Sequence, residues 1–371
     1  MKFDRRLLFN FDWVLLSLVL GLCLIGVLNI FSAGFSLNDV NLKFLYVKQF
    51  QWMSVGLFCM VLAFSIDYRT INRHAYAIYL GSLAVLLLVS LIGYATRGSQ
   101  RWIAFGGFSF QPSEPVKLTI ILALARYFDD HKSESGYLLR ELIVPFFIVL
   151  VPFLIILKQP DLGTGLILIF LFLSVVFAVG IRWKSAILSA CGGIVLIPLF
   201  WFFLKDYQKE RLLTFFEPER DPLGAGYHII QSVIAVGSGG LFGKGFLKGT
   251  QTQLKFLPER QTDFVFSVFA EEWGFLGGML LISLFLILVL WSLKIAVRAK
   301  DLPGNLISVG VAMLIFWQVF INIGMVLGIL PVVGIPLPFM SYGGSSMVVF
   351  MNGIGLLLNV RMRRFALQPP L

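Results

Sequence analysis

The chain has 371 residues, 58% of them hydrophobic and only 13% charged, against about a quarter charged in an ordinary soluble domain. With a mean hydropathy of +0.87, a water-soluble globule is excluded and lipid is the solvent for most of the surface. The net charge of +10 does not mark a nucleic-acid binder, because the basic residues fall between long apolar runs and not along one polar face.

The basic start, with Lys2, Arg5 and Arg6, leads into an apolar run at 13–31. That run is too long for a signal-peptide core and lacks a convincing small-residue cleavage pattern, so it reads as an uncleaved first span. Further runs lie at 46–66, 75–94, 114–128, 142–157, 162–180, 185–204, 264–293, 304–329 and 343–360. A helix needs about 20 apolar residues to cross the hydrocarbon; the fourth and fifth runs are short, and the eighth is long enough to tilt. The expectation is an all-α integral membrane protein, a single polytopic domain over 1–371 with about ten transmembrane helices. Lys and Arg concentrate in alternate connections, among them Arg69, Arg73, Arg126, Arg140, Arg182, Lys184, Lys294, Arg298, Arg361 and Arg363. The positive-inside rule places those connections and both termini in the cytoplasm. One long connection, 205–263 between helices 7 and 8, then faces outward, and a connection of that length is usually functional. Cys23, Cys59 and Cys191 each sit inside an apolar run, which argues against a disulfide framework or a thiolate metal site.

Ionisable residues at membrane depth are costly and therefore candidates for function. Gln111-Pro112-Ser113-Glu114-Pro115-Val116-Lys117 opens span four. Ser113 suits an N-cap and Glu114 suits the helix dipole, while Glu114 and Lys117 share a face and can pair. Asp161 is a natural N-cap for span six. Asp263 or Thr262 could cap span eight, but Glu271 and Glu272 lie two turns further in, and a cap needs no carboxylates below it. They point to a polar pocket open to the outside. The run Gly237-Ser238-Gly239-Gly240-Leu241-Phe242-Gly243-Lys244-Gly245 fails the nucleotide phosphate-loop pattern at Ser238 and Gly245. It is either a flexible turn or a place where Lys244 and Lys248 meet a lipid pyrophosphate. Before it, 227–234 has the spacing of a helix lying on the membrane surface. The Pro- and Gly-rich stretch from Gly328 to Ser346 implies irregular backbone walling the same pocket. Gln318 and Asn322 are four apart and suited to bonding a neighbouring helix. His74, His131 and His228 have no zinc spacing, and no serine has a nucleophile's setting.

Five short motifs occur in order: Gln111-Pro112-Ser113-Glu114; Gln159-Pro160-Asp161-Leu162-Gly163-Thr164; Asp221-Pro222-Leu223-Gly224-Ala225-Gly226-Tyr227; Phe256-Leu257-Pro258-Glu259-Arg260 with Thr262-Asp263-Phe264; and Pro336-Leu337-Pro338 with Ser341-Tyr342-Gly343-Gly344. Together they resemble the SEDS family (shape, elongation, division and sporulation) over nearly the whole chain, and its elongation-type, RodA-like branch more than its division-type branch. Gln261 departs from the family, which often carries histidine there. The resemblance implies a peptidoglycan glycosyltransferase in the bacterial inner membrane, with its active site and the 205–263 loop facing the periplasm. It would polymerise lipid II, the undecaprenyl-pyrophosphate-linked disaccharide pentapeptide, into β-1,4-linked glycan strands during cell elongation, with a class B penicillin-binding protein as partner. It also implies that Asp263 is the essential loop aspartate and that Glu114 and Lys117 are functional. An inverting transfer from a pyrophosphate donor needs a base for the acceptor hydroxyl and charge neutralisation for the leaving group. Asp263 suits the first role. Lys117, Arg101, Lys244 or a divalent cation such as Mg or Mn suits the second, with Glu114 orienting Lys117 or assisting binding. Gln111, Asp161, Lys248, Glu259, Arg260 and Ser341 complete the expected substrate contacts, and no resident metal site is expected. The alternatives are a lipid II flippase, disfavoured because the charges cluster at one face and not at the midplane, and a non-catalytic scaffold for the penicillin-binding protein.

Overall fold

The computed structural model describes residues 10–35, 44–92, 94–96, 99–105, 108–133, 136–203, 206–221, 224–254, 256–257 and 259–364. Its helices are α1 (Trp13–Gly34), α2 (Leu45–Ser65), α3 (Tyr68–Arg73), α4 (Ala75–Ile92), α5 (Ser113–Asp130), α6 (Ile143–Lys158), α7 (Leu162–Val179), α8 (Trp183–Phe203), α9 (Asp206–Phe216), α10 (Ala225–Ser238), α11 (Thr250–Gln253), α12 (Val265–Val297), α13 (Leu302–Val326) and α14 (Gly344–Arg363). A helix occupies each of the ten expected runs, and seven apolar segments among the described residues are long enough to cross a membrane. The chain is a multi-pass membrane protein.

Composition sorts the helices. The α13 and α14 spans are 72% and 83% buried within the protein, whereas α2 is only 22% buried and turns most of its apolar surface outward. α5 carries Glu114, Lys117, Arg126, Asp129 and Asp130, too many charges to face lipid, and it is enclosed along most of its length. Small residues let the inner helices approach closely. A side chain at Gly355 of α14 would sit 2.7 Å from the Met60 carbonyl of α2, and one at Gly344 would overlap the Trp52 ring. Helix starts follow from local chemistry: Asp12, Asp67, Asp161 and Asp301 each accept a backbone N–H in the first turn of α1, α3, α7 and α13. Ser113 is not the cap expected of it. α5 begins at Ser113 itself after Pro112, and the buried Ser113 hydroxyl has no hydrogen-bond partner among the described residues.

Three further departures matter for the site. In a chain expected to be all-α, the connection between α4 and α5 forms an antiparallel sheet, β1 (Tyr94–Thr96), β2 (Ser99–Phe105) and β3 (Phe108–Phe110), with Phe105 opposite Phe108. The 205–263 connection is itself folded, with α9, α10, α11 and a 3-10 turn at Pro218–Arg220. The helix expected at 227–234 is α10, but it packs inward on α12 and α13. Its Ser232 is fully buried, with its hydroxyl 2.8 Å from Ser267 Oγ and donating to the Val326 carbonyl at 2.7 Å.

Finally, α12 is broken at Gly274 (φ 66°), and the glycine-rich run is built into the break. Lys244 and Gly245 N–H groups donate to the Glu271 and Glu272 carbonyls at 3.0 Å each, and Phe275 N–H donates to Gly240 at 2.8 Å. A side chain at Gly243 would overlap the Glu272 carbonyl. The glycines thus serve backbone-to-backbone contact, which satisfies an interrupted helix at membrane depth.

Candidate functional site

The turn 259–264 precedes α12 and holds Asp263. Thr262 and Phe264 N–H groups donate to the Glu259 carbonyl at 3.1 and 3.3 Å, with Glu259 itself at a left-handed φ of 46°. Three successive carbonyls of this turn are each taken by a different donor. Tyr342 N–H donates to Gln261 at 2.8 Å, Ser341 Oγ to Thr262 at 2.5 Å, and Asn322 Nδ2 to Asp263 at 2.9 Å. The first two come from the irregular 327–343 segment and the third from α13. The carboxylate of Asp263 is half-buried and faces Gly334, where an added Cβ would lie 3.4 Å from Oδ2. The cap position of α12 is Phe264, so neither Asp263 nor Thr262 acts as the N-cap.

Glu114 and Lys117 pair as their spacing suggested, with Lys117 Nζ 2.7 Å from Glu114 Oε1 and the two residues 1% and 3% exposed. Lys117 also donates to Gln318 Oε1 at 3.2 Å, and Gln318 Nε2 donates to the Pro336 carbonyl at 3.1 Å. One turn along α13, Asn322 Nδ2 donates to the Ile335 carbonyl at 2.7 Å as well as to Asp263. Gln318 and Asn322 therefore join the buried ion pair, the 335–336 backbone and the aspartate turn. Sequence spacing marked both as helix-packing amides; that they join these particular partners depends on tertiary structure.

Gln111 and Asp161 belong to the same end of the bundle. Gln111 Nε2 donates to Asp161 Oδ2 at 3.2 Å, and its N–H donates to Ser345 Oγ of α14 at 2.9 Å. Asp161 is the N-cap expected of it, accepting Thr164 N–H at 3.1 Å. Ser341 is buried, its hydroxyl also accepting Leu337 N–H at 2.7 Å. Glu259 accepts Thr262 Oγ1 at 3.3 Å, and the buried Arg260 guanidinium donates to the Thr252 carbonyl. Lys248 is exposed on the turn before α11. Arg101 lies on β2, and its side chain is outside the described residues.

Glu271 and Glu272 do not line the outward-open pocket expected of them. Both are buried, at 0% and 2% exposed. Glu271 is filled by Lys244 Nζ at 2.7 Å, Gln251 N–H at 2.9 Å and the Thr250 and Thr252 hydroxyls, while Glu272 accepts Ser32 Oγ. Lys244 is thus committed to Glu271. Asp263 itself lies in the turn before α12, outside the helix that carries Glu271 and Glu272.

In the sequence His228 shows only as a histidine without zinc spacing. It stacks on Phe264, next to Asp263, with ring centroids 5.9 Å apart. Burial pushes its imidazole below the ordinary value, against the nearby Glu259 carboxylate. A narrow crevice lies between α9, the start of α7 and 331–333, lined by Arg211 and Gln208 among apolar residues.

An apolar bundle whose helix ends converge on a clamped half-buried aspartate and a buried ion pair defines a multi-pass membrane protein with a polar site at one end. The model of the cell cycle protein family of FtsW, RodA and SpoVE matches residues 12–365, and the chain belongs to that family. The peptidoglycan glycosyltransferase MrdB of Escherichia coli K12 is 40% identical over 356 residues, 96% of this chain and 94% of that one. The peptidoglycan glycosyltransferase RodA of Treponema pallidum is 34% identical, covering 96% and 98%. A chain from a solved peptidoglycan synthase complex superimposes with a TM-score of 0.81 at 34% identity, over 96% of this chain and 99% of that one. The rod shape determining protein RodA of Thermus thermophilus gives 0.71 at 31% identity, over 96% and 98%.

Proposed function

We propose that the protein is a peptidoglycan glycosyltransferase that polymerises lipid II at the periplasmic face of a bacterial inner membrane, in the manner of its elongation-type relatives. The observation that carries the reading is the clamp on Asp263: three consecutive carbonyls held by Tyr342, Ser341 and Asn322 leave its half-buried carboxylate preset beside Gly334. Rigid placement of a base contributes through orientation as well as basicity. In the proposed step the acceptor sugar's 4-hydroxyl oxygen bonds to C1 of the donor sugar. The bond from C1 to the pyrophosphate oxygen breaks, polyprenyl pyrophosphate leaves, and the hydroxyl proton passes to the Asp263 carboxylate.

Glu114 and Lys117 are enclosed and bonded to each other, so their proposed role is to position Gln318 and, through it, the 335–336 backbone. Lys248 and Arg101 are the proposed partners of the pyrophosphate. A divalent cation such as Mg or Mn is the remaining candidate for that role. Among the described residues no three His, Cys, Asp or Glu side chains gather as a metal site. A class B penicillin-binding protein is the proposed partner, in keeping with the synthase complex that contains a relative.

The test is purified protein in detergent given lipid II, alone and with the partner, with products resolved on a gel. Glycan chains support the reading. Lipid II transfer across vesicles with no polymer formed would replace it with the flippase.

A further inference from the structure

At the end of the bundle opposite Asp263, the start of α1 and the ends of α12 and α14 enclose a cleft lined by Asp12, Trp291, Lys294, Ile295, Arg298 and Arg361. From its position and chemistry we infer that this cleft is a binding site for a phosphate anion, namely the head group of an anionic phospholipid.

Charge is the first argument. Three cations line the cleft, and Asp12 is its one carboxylate. Asp12 is already used three times: it caps Leu15 N–H at 3.1 Å, accepts Trp291 Nε1 at 2.9 Å and pairs with Arg361 Nε at 3.3 Å. Among the described residues no carboxylate lies in ion-pair range of Lys294 or Arg298, and both are exposed. Like charges held together at the edge of a low-dielectric slab repel, and a bound anion removes that cost. Burial, and then the neighbouring Arg361 and Arg298, hold the Arg364 guanidinium below its usual range, a sign of the same crowding.

Place is the second argument, and it favours a lipid over free phosphate. Trp291 is the kind of side chain that settles at the membrane–water boundary. The Lys294 ammonium lies 4.4 Å from its ring centroid, so the cation is held at that depth. Leu290 and Val297 of the same helix are 55% and 83% exposed and offer acyl chains an apolar wall beside the cleft. Basic clefts between helix ends are suited to anionic head groups.

The experiment is native mass spectrometry of the full-length protein in detergent, titrated with phosphatidylglycerol or phosphatidylcholine, with and without inorganic phosphate. The wild type is expected to bind phosphatidylglycerol about ten-fold tighter than phosphatidylcholine. The double variant Lys294→Gln/Arg298→Gln is expected to lose that preference, whereas Lys294→Arg/Arg298→Lys and the remote Arg140→Gln keep it. Unchanged preference in the Gln variant, with its melting temperature intact, overturns the site. Displacement of the lipid by millimolar inorganic phosphate overturns the lipid as its occupant.

Discussion

Asn322 on α13 donates through one amide to the carbonyl of Asp263 at 2.9 Å and to that of Ile335 at 2.7 Å. The side chain proposed as the base is therefore set by an amide 59 residues away in sequence, acting on the backbone beneath it. Replacing Asn322 by Leu leaves the buried Ile335 carbonyl without that donor, at about 1–3 kcal/mol, and frees the half-buried Asp263 carbonyl as well. The expected result is a fall in polymerisation of about ten-fold or more from loss of orientation, with lipid II still bound. A rate equal to wild type, measured with lipid II in detergent, removes Asn322 from the positioning role.

The Glu114–Lys117 pair is a buried one, and breaking such a pair from one side costs about 3–5 kcal/mol because the remaining charge is uncompensated. Glu114→Gln or Lys117→Met alone should lower the melting temperature sharply. The double variant should recover much of the loss, since a neutral pair carries no buried charge. Thermal melts of the four proteins in one detergent decide it; additive losses contradict the coupling.

Gly243 sits where a Cβ would overlap the Glu272 carbonyl, at a φ of 80°. Gly243→Ala should destabilise by about 1–3 kcal/mol or more through overpacking and a disfavoured backbone. Gly192, with nothing within 4 Å of its absent side chain among the described residues, is the control: Gly192→Ala should not destabilise. Equal melting temperatures for the two variants contradict the packing reading of the glycine-rich run.

His228 gives a pH signature. Its folded value is lowered, mainly by burial, so the folded protein favours the neutral ring. The stability this contributes is present above the unfolded value of about 6.5. It is lost as pH falls through that value toward the depressed folded one. His228→Phe keeps an aromatic ring to stack on Phe264 and removes the titration. Between about pH 7.5 and about pH 5.5 the wild type should therefore lose more melting temperature than the variant. Parallel slopes contradict the assignment.

The helical framework was legible because apolar runs of membrane length have few alternatives, and the Glu114–Lys117 and Asp161 contacts because they are local in sequence. The 94–110 sheet was missed. Its strands are three to seven residues long, too short for alternation to show, although the Gly106-Gly107 pair between β2 and β3 was a hairpin signal. Glu271 and Glu272 misled because intramembrane carboxylates invite a functional reading, and their real partners, Lys244 and Ser32, lie far off in sequence. The links from Gln318 and Asn322 to the site were not readable for the same reason. Spacing shows which residues share a helix face, not what packs against it.

The most direct test is Asp263→Asn, which preserves shape while removing the base. With lipid II in detergent, polymerisation should fall by about a hundred-fold or more, while melting temperature and lipid II binding stay at wild-type values. Glycan chains formed by that variant at the wild-type rate would contradict the assignment of Asp263 as the base.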